Sequence, residues 1–373
     1  MPWLTLRRYD RRPLPGDEWV RVRPALAGIC GTDLALLTGR ASAAMSPFVS
    51  FPAVLGHEVV GTVDEAGTAV AGVAPGDRVV VDPVIGCEVR GLDSCPECAD
   101  GHPATCLRPT EGLLAAGLLL GYCRDLPGAW GDEMLVHRSQ LHRVPESLDD
   151  AEAVLVEPLA VALHAVLRDV PSERQRVLVL GGGSLGLLHV AALRMLGARS
   201  RTVCLARHAA QQVLARRLGA DEVVADESGA ARAAEARGHR TLDGGTSYRE
   251  GFEVVYDCVG DRSSLDLALR LAGPRGRIVL AGGPAVVGPI DLTPSWIGEV
   301  RLEGTYVYGR EPSMPGAPHT FAVALDLLTR HRDLRLGELV THRFPLERWR
   351  RAIAANLDRR RSGAIKTVFE LGR

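Results

Sequence analysis

The 373-residue chain carries 46% hydrophobic residues and 44 basic against 45 acidic residues, a formal net charge of −1. A chain of that length buries a substantial core and, at ~100–200 residues per domain, divides into about two domains. The charge balance gives no electrostatic footprint for nucleic acid or an anionic membrane, so neither is expected as a partner.

The start, Met1-Pro2-Trp3 before Arg7-Arg8, has no apolar h-region, and the longest apolar stretch, Leu113 to Gly121, is too short to span a bilayer. A cytoplasmic protein is expected, in which clustered cysteines bind metal and do not form disulfides. All but one of the basic residues are arginine; the exception, Lys366, leaves no second lysine for amine catalysis.

In chain order, the first segment with chemistry is Gly28-Ile29-Cys30-Gly31-Thr32-Asp33, followed by Gly56-His57-Glu58. Singly, Cys30 reads as a small buried hydrophobe and His57 as a hydrogen-bonded core residue. Together, in glycine-bounded turns, a thiolate, an imidazole and a carboxylate suit zinc, and a mixed set of this kind marks a catalytic site with one open position.

Cys87, Cys95, Cys98 and Cys106 come next, with Cys95-Pro96-Glu97-Cys98 as a CxxC knuckle among Gly101, Pro103 and Pro109. Four thiolates match a closed structural zinc site, which stabilises a loop that has no core of its own. A redox CxxC wants a βαβ setting and a nucleic-acid ribbon wants basic surroundings; this stretch is locally acidic. Cys123, Cys204 and Cys258 stand alone and read as buried small hydrophobes.

Val177 to Leu180 reads as a buried strand running into Gly181-Gly182-Gly183-Ser184-Leu185-Gly186 and then an apolar helix. Strand, GxGxxG and helix together are the dinucleotide fingerprint: one glycine for the turn, one for close approach of a pyrophosphate, one for helix packing. Strand 202–205, helix 209–218, strand 222–225, strand 254–257, helix 263–271 and strand 277–281 follow, which predicts a doubly wound parallel sheet. Residues 238–251 read as a loop.

The acidic residue that holds an adenosine ribose should end the second of these strands, where Ala206-Arg207-His208 stands instead. A guanidinium without a carboxylate accommodates a 2′-phosphate, so NADP is favoured over NAD. The candidate cofactor residues are Gly181, Gly183, Ser184, Leu185, Gly186, Ala206, Arg207 and His208, with Val259 and Gly282 near the ends of two later strands.

The order GxCGTD, GHE, four-cysteine lobe, Val156-Glu157-Pro158-Leu159 and GxGxxG resembles the medium-chain dehydrogenase/reductase superfamily in its zinc-dependent alcohol and polyol dehydrogenase branch. The resemblance runs from about Arg21 to Val368. It implies an α/β chain: a GroES-like β-rich catalytic domain over 1–158 with a structural zinc lobe at 87–106, a Rossmann domain over 159–304, and a return to the catalytic domain over 305–373, with the active site in the cleft.

It further implies two zinc ions per chain, with Cys30, His57 and Glu157 as catalytic ligands and Glu58 as the motif glutamate that sits on the zinc or displaces its water. Thr32 is implied to take the substrate proton. A Glu157-type site resembles those of sorbitol, threonine and glucose dehydrogenases, so the expected substrate is a polyol, sugar-like or amino alcohol, oxidised reversibly by a homodimer or homotetramer.

Three departures stand out. The first lobe cysteine is expected where Leu92 stands, so Cys87 must reach back through a longer loop. The relay histidine of many relatives is replaced by Ala35. Trp3 to Leu6 corresponds to a point after the usual first strand. The insert Gly112 to Gly121 either walls the substrate cleft or packs on the lobe. A zinc-free NADPH quinone or enone reductase would lack these ligands, and a non-catalytic nucleotide sensor would not need an open mixed site.

Overall fold

The computed structural model describes residues 4–283 and 285–372. Trp3 lies outside the described residues, and Leu4 to Leu14 carry no strand. The chain forms two compact units, Met1–Ala160 with Tyr308–Arg373, and Val161–Val307.

In the first unit, strands β1 (Trp19–Gly28), β2 (Val59–Ala66), β3 (Arg78–Val81), β4 (Met134–His137) and β5 (Leu141–Arg143) are laid down before the chain leaves. β1 is buried along nearly its whole length, which is why its valines and alanines do not alternate cleanly with polar residues. Its one deeply buried charge, Arg21, is neutralised by Glu133 at 2.7 Å and Glu65 at 3.0 Å.

The second unit supplies β6 (Arg176–Leu180), β7 (Arg201–Leu205), β8 (Glu222–Val224), β9 (Gly238–Arg240), β10 (Thr246–Tyr248), β11 (Phe252–Asp257), β12 (Ala272–Leu280) and β13 (Arg301–Gly304). Six of them form a parallel sheet in the order β13-β12-β11-β6-β7-β8. Sequence order therefore reverses between β6 and β11, the switch point at which such sheets bind nucleotides beyond their carboxyl ends. Leu178, Val203, Val255 and Ile278 form the core of the sheet together with Leu265 and Leu269 of the helix Arg262–Leu271.

The expected loop at 238–251 is instead a hairpin, β9 pairing β10 through Thr246↔Arg240 and Tyr248↔Gly238. Its strands bury no complete face, so no hydrophobic alternation signals them in the sequence.

His189, in the helix Ser184–Met195, is fully buried; its Nδ1–H donates to the Leu185 carbonyl at 2.9 Å while Nε2 has no partner. Burial lowers its pKa from 6.5 to about 4. Between those values the unfolded chain binds a proton that the folded chain refuses, so stability present above pH 6.5 is lost as pH falls toward 4. His189→Leu is expected to reduce the stability lost between pH 7 and 4.5 by about 2–3 kcal/mol, read from urea midpoints; an unchanged loss would remove His189 as its source.

The chain returns to the first unit with β14 (Val340–Pro345) and β15 (Lys366–Glu370). The sheet then runs β14-β15-β1-β2-β3-β5, with β4 on the N-terminal half of β1. β15 pairs antiparallel with the other end of β1, Gly28 opposite Val368, and β2 pairs on the opposite edge, Ala27 opposite Val59. These two registers position the site.

Candidate active site

Cys30 lies two residues beyond β1 and is the N-cap of the helix Gly31–Leu37, where Asp33 at the third helical position reaches back to accept the Cys30 N–H at 2.9 Å. His57 and Glu58 directly precede β2, and the Gly28 N–H donates to the Glu58 carbonyl at 2.8 Å. Glycine is required at two points: a Cβ on Gly28 would overlap the Glu58 carboxylate, and one on Gly56, at φ +96°, would overlap Trp130. Glu157 enters from the first turn of the helix Val156–Leu167.

His57, Glu58 and Glu157 are buried, and Cys30 is half-buried with its Sγ 3.7 Å from the exposed Thr32 hydroxyl. His57 Nδ1 lies 3.5 Å from Asp33 Oδ1 and has no hydrogen-bond partner. Burial opposes a charge on the imidazole, but the Asp33 carboxylate and the Cys30 thiol raise its pKa well above the usual range. Burial pushes the Glu157 carboxyl up to about 7 against the pull of His57, while the Tyr308 hydroxyl donates to it at 3.2 Å. A thiol and a carboxyl that each act on one buried imidazole are donors of the kinds that suit a divalent cation.

Glu58 is engaged elsewhere. The Lys366 ammonium, buried on β15, forms an ion pair with its carboxylate and lies 3.4 Å from the Ile29 carbonyl. The single lysine of the chain thus stands at the site as a counter-ion. Lys366, Asp33, Tyr122 and Tyr308 escaped the sequence reading as site residues. Only two signals were available, the solitary lysine in an arginine-rich chain and the aspartate closing the GxCGTD motif.

The sulfur atoms of Cys87, Cys95, Cys98 and Cys106 all lie within 4.8 Å of one another, the one group of potential metal ligands that closes so tightly among the described residues. The longer loop does bring Cys87 home: turns back to its carbonyl from Arg90 and Leu92 shorten the path, and its Sγ accepts the Cys95 N–H at 3.4 Å. Burial alone would raise the Cys95 thiol, but backbone N–H groups of Leu107 and Cys98 and the neighbouring sulfurs bring it down to about 6. Thiols packed without disulfides and bonded by backbone N–H groups fit a closed tetrahedral ion. The fully buried Arg90 donates to the carbonyls of Glu111, Leu114, Ala115 and Gly117 and so packs the apolar insert on this lobe.

In the second unit, β6 turns at Gly181, φ +105°, into the helix Ser184–Met195, whose N-cap is Gly183. A Cβ on Gly186 would overlap the Gly181 carbonyl oxygen, the close helix-on-turn packing that the third glycine of the fingerprint permits. Val259 flanks the same turn, since a Cβ on Gly181 would come within 2.7 Å of it, and Gly282 packs on the Val259 and Gly260 backbone. Ala206 is buried at the end of β7, and Arg207 and His208 are exposed beyond it. This rim of backbone N–H groups and one guanidinium is chemically suited to a dinucleotide phosphate.

A β-rich unit holding a mixed thiol, imidazole and carboxyl set, and a parallel-sheet unit with a dinucleotide turn, are the parts of a nucleotide-dependent dehydrogenase. Residues 16–146 match the family described as alcohol dehydrogenase GroES-like domain, and residues 184–330 the family described as zinc-binding dehydrogenase. Sorbitol dehydrogenase of Arabidopsis thaliana is 29% identical over 96% of this chain and 90% of its own. A 2-dehydro-3-deoxy-L-galactonate 5-dehydrogenase of Pseudoalteromonas atlantica is 31% identical over 78% of this chain and 76% of its own. A solved zinc-binding dehydrogenase from Sinorhizobium meliloti, bound to NADP, superposes with a TM-score of 0.73 at 27% identity, covering 96% of this chain and 93% of that one. The chain belongs to the zinc-dependent medium-chain dehydrogenase/reductase superfamily, in its alcohol and polyol dehydrogenase branch. It is an NAD(P)-linked oxidoreductase, with a GroES-like and a Rossmann domain.

Proposed function

We propose that this enzyme reversibly oxidises a secondary hydroxyl of a polyhydroxylated alcohol, with two zinc ions per chain and NADP preferred over NAD. What supports the reading is that Cys30 and Glu157 each act electrostatically on the buried His57, separate from a closed four-thiol lobe. Cys30, His57 and Glu157 would hold the catalytic ion, Glu58 being engaged by Lys366, and Cys87, Cys95, Cys98 and Cys106 the structural one.

A zinc ion held there supplies Lewis acidity that lowers the pKa of an alcohol, and the nicotinamide supplies the hydride acceptor. The rest falls to the chain. Asp33 faces His57 Nδ1, leaving Nε2 as the nitrogen available to a ligand. The Thr32 hydroxyl, exposed beside Cys30, takes the substrate proton; Ala35 offers no onward acceptor, so the proton leaves through water or another group. Lys366 keeps the charge of Glu58 balanced in a buried place.

The relatives' names support a polyhydroxylated substrate. Arg359 supports one with an anionic group: half-buried within reach of the charges of Cys30 and Glu58, it has no ion-pair partner among the described residues. Arg207 at the end of β7, with no carboxylate beside it, supports NADP. The exposed edge strand β13, with Leu302, Trp296 and Ile297 exposed on and before it, supports association of two copies. No described helix is long and apolar enough to cross a membrane, and the eight free cysteines support a reducing, cytoplasmic setting.

The test is metal content per chain together with turnover of neutral polyols, aldonates and simple alcohols with each cofactor. Two zincs, polyol or aldonate turnover and a lower KM for NADP are expected; one zinc and no hydride transfer would defeat the reading. In the same assay Thr32→Val should cut oxidation by about 10²-fold or more with zinc retained, and an undiminished rate would remove Thr32 from proton transfer.

A further inference from the structure

Tyr122 belongs to none of the sequence motifs. It comes from residues 107–133, a stretch of turns and isolated bridges between the four-cysteine lobe and β4. Its hydroxyl, buried, donates to Asp33 Oδ1 at 2.7 Å. Asp33 is itself fully buried; its Oδ2 accepts the Cys30 N–H at 2.9 Å and its Oδ1 lies 3.5 Å from His57 Nδ1. The Tyr122 and His57 rings sit with centroids 5.5 Å apart.

One carboxylate therefore touches the backbone of one metal-ligand candidate and the ring of the other, and Tyr122 is the only side chain that donates a hydrogen bond to it among the described residues. The terminal torsion of an aspartate is broad and roughly two-fold, so a carboxylate with fewer anchors swings and takes the imidazole with it. Tyr122 is held in turn: its carbonyl accepts the Ser50 N–H at 2.9 Å, and the preceding insert hangs on Arg90, whose guanidinium donates to the Gly117 carbonyl at 2.6 Å from inside the lobe sequence.

We propose that Tyr122 is a positioning residue for the catalytic metal site: through Asp33 it sets the ring of His57, and through Arg90 it ties that setting to the four-cysteine lobe. The proposal rests on the reading of Cys30, His57 and Glu157 as metal ligands. Outer partners of this kind change metal affinity or activity about 10–100-fold when removed, without touching the metal themselves.

The experiment uses the full-length enzyme carrying zinc in the lobe and cobalt(II) exchanged into the mixed site. Tyr122→Phe is expected to alter the cobalt visible absorption bands and to release the mixed-site metal to a chelator about 10–100-fold faster, with the lobe metal retained. Asp33→Asn, which keeps the side-chain size, should do the same, and Tyr122→Phe should add little in that background because both act through one carboxylate.

An unchanged spectrum and release rate in Tyr122→Phe would overturn the proposal. So would additive effects in the double variant, or simultaneous loss of both metals, which marks general loosening. Parent enzyme that holds metal only in the lobe would instead defeat the reading of the mixed site, so the two failures are distinguishable.

Discussion

Cys30→Ser is expected to lower kcat/KM for alcohol oxidation by about 10³-fold or more while one zinc per chain remains. The magnitude follows from losing several kcal/mol of charge stabilisation at the reacting oxygen, about 4 kcal/mol corresponding to 10³ in rate. A hydroxyl is a poor replacement for a thiolate in a site whose other candidates are one imidazole and one carboxyl. The remaining zinc is expected because the four lobe sulfurs share no ligand with Cys30. Metal analysis and steady-state kinetics on the same preparation check it; a variant that keeps two zincs and its rate would remove Cys30 from the centre.

Cys95→Ala is expected to act mainly on stability: loss of the lobe zinc and a fall in the thermal midpoint of about 10 °C or more. Structural zinc in small sites contributes about 10–16 kcal/mol of apparent binding free energy, so losing one of four thiolates costs several kcal/mol, each worth about 2–4 °C in a unit of this size. Cys95 is buried among the lobe sulfurs, and the lobe's small cluster contains little besides cysteines and Leu92. The damage should spread, because Arg90 lies between Cys87 and Cys95 and carries the carbonyls of the apolar insert. Scanning calorimetry with a zinc count tests this, with Cys258→Ala as the comparison; equal midpoints for the two variants would refute a structural role for the lobe.

Much of this architecture was legible in the chain because each signal was local. Val177 to Leu180 is an unbroken apolar run ending in glycines, and only a buried strand entering a dinucleotide turn explains both. The CxxC knuckle and its neighbours announce their chemistry by spacing alone. The hairpin β9–β10 was not legible, since its exposed polar residues carry no periodic apolar face. Nor were Tyr122 and Tyr308: a tyrosine in an irregular segment looks the same whether it faces solvent or donates to a buried carboxylate 89 residues away in sequence.

The sequence by itself determined the kinds of ligand, the parallel sheet and its phosphate turn, and the family, because these depend on residue chemistry and short-range periodicity. The tertiary structure distinguishes the two carboxylates by their partners. Glu58 and Glu157 both stand in motifs of the chain; pairing β15 against β1 brings Lys366 across 308 positions onto Glu58, while Glu157, on a helix, accepts from Tyr308 within electrostatic reach of His57. It also brings Cys87 into the four-thiol cluster and places Asp33, held by Tyr122, 3.5 Å from His57 Nδ1. Such choices turn on contacts between distant segments, and a buried charge must find its partner in space, whatever the distance along the chain.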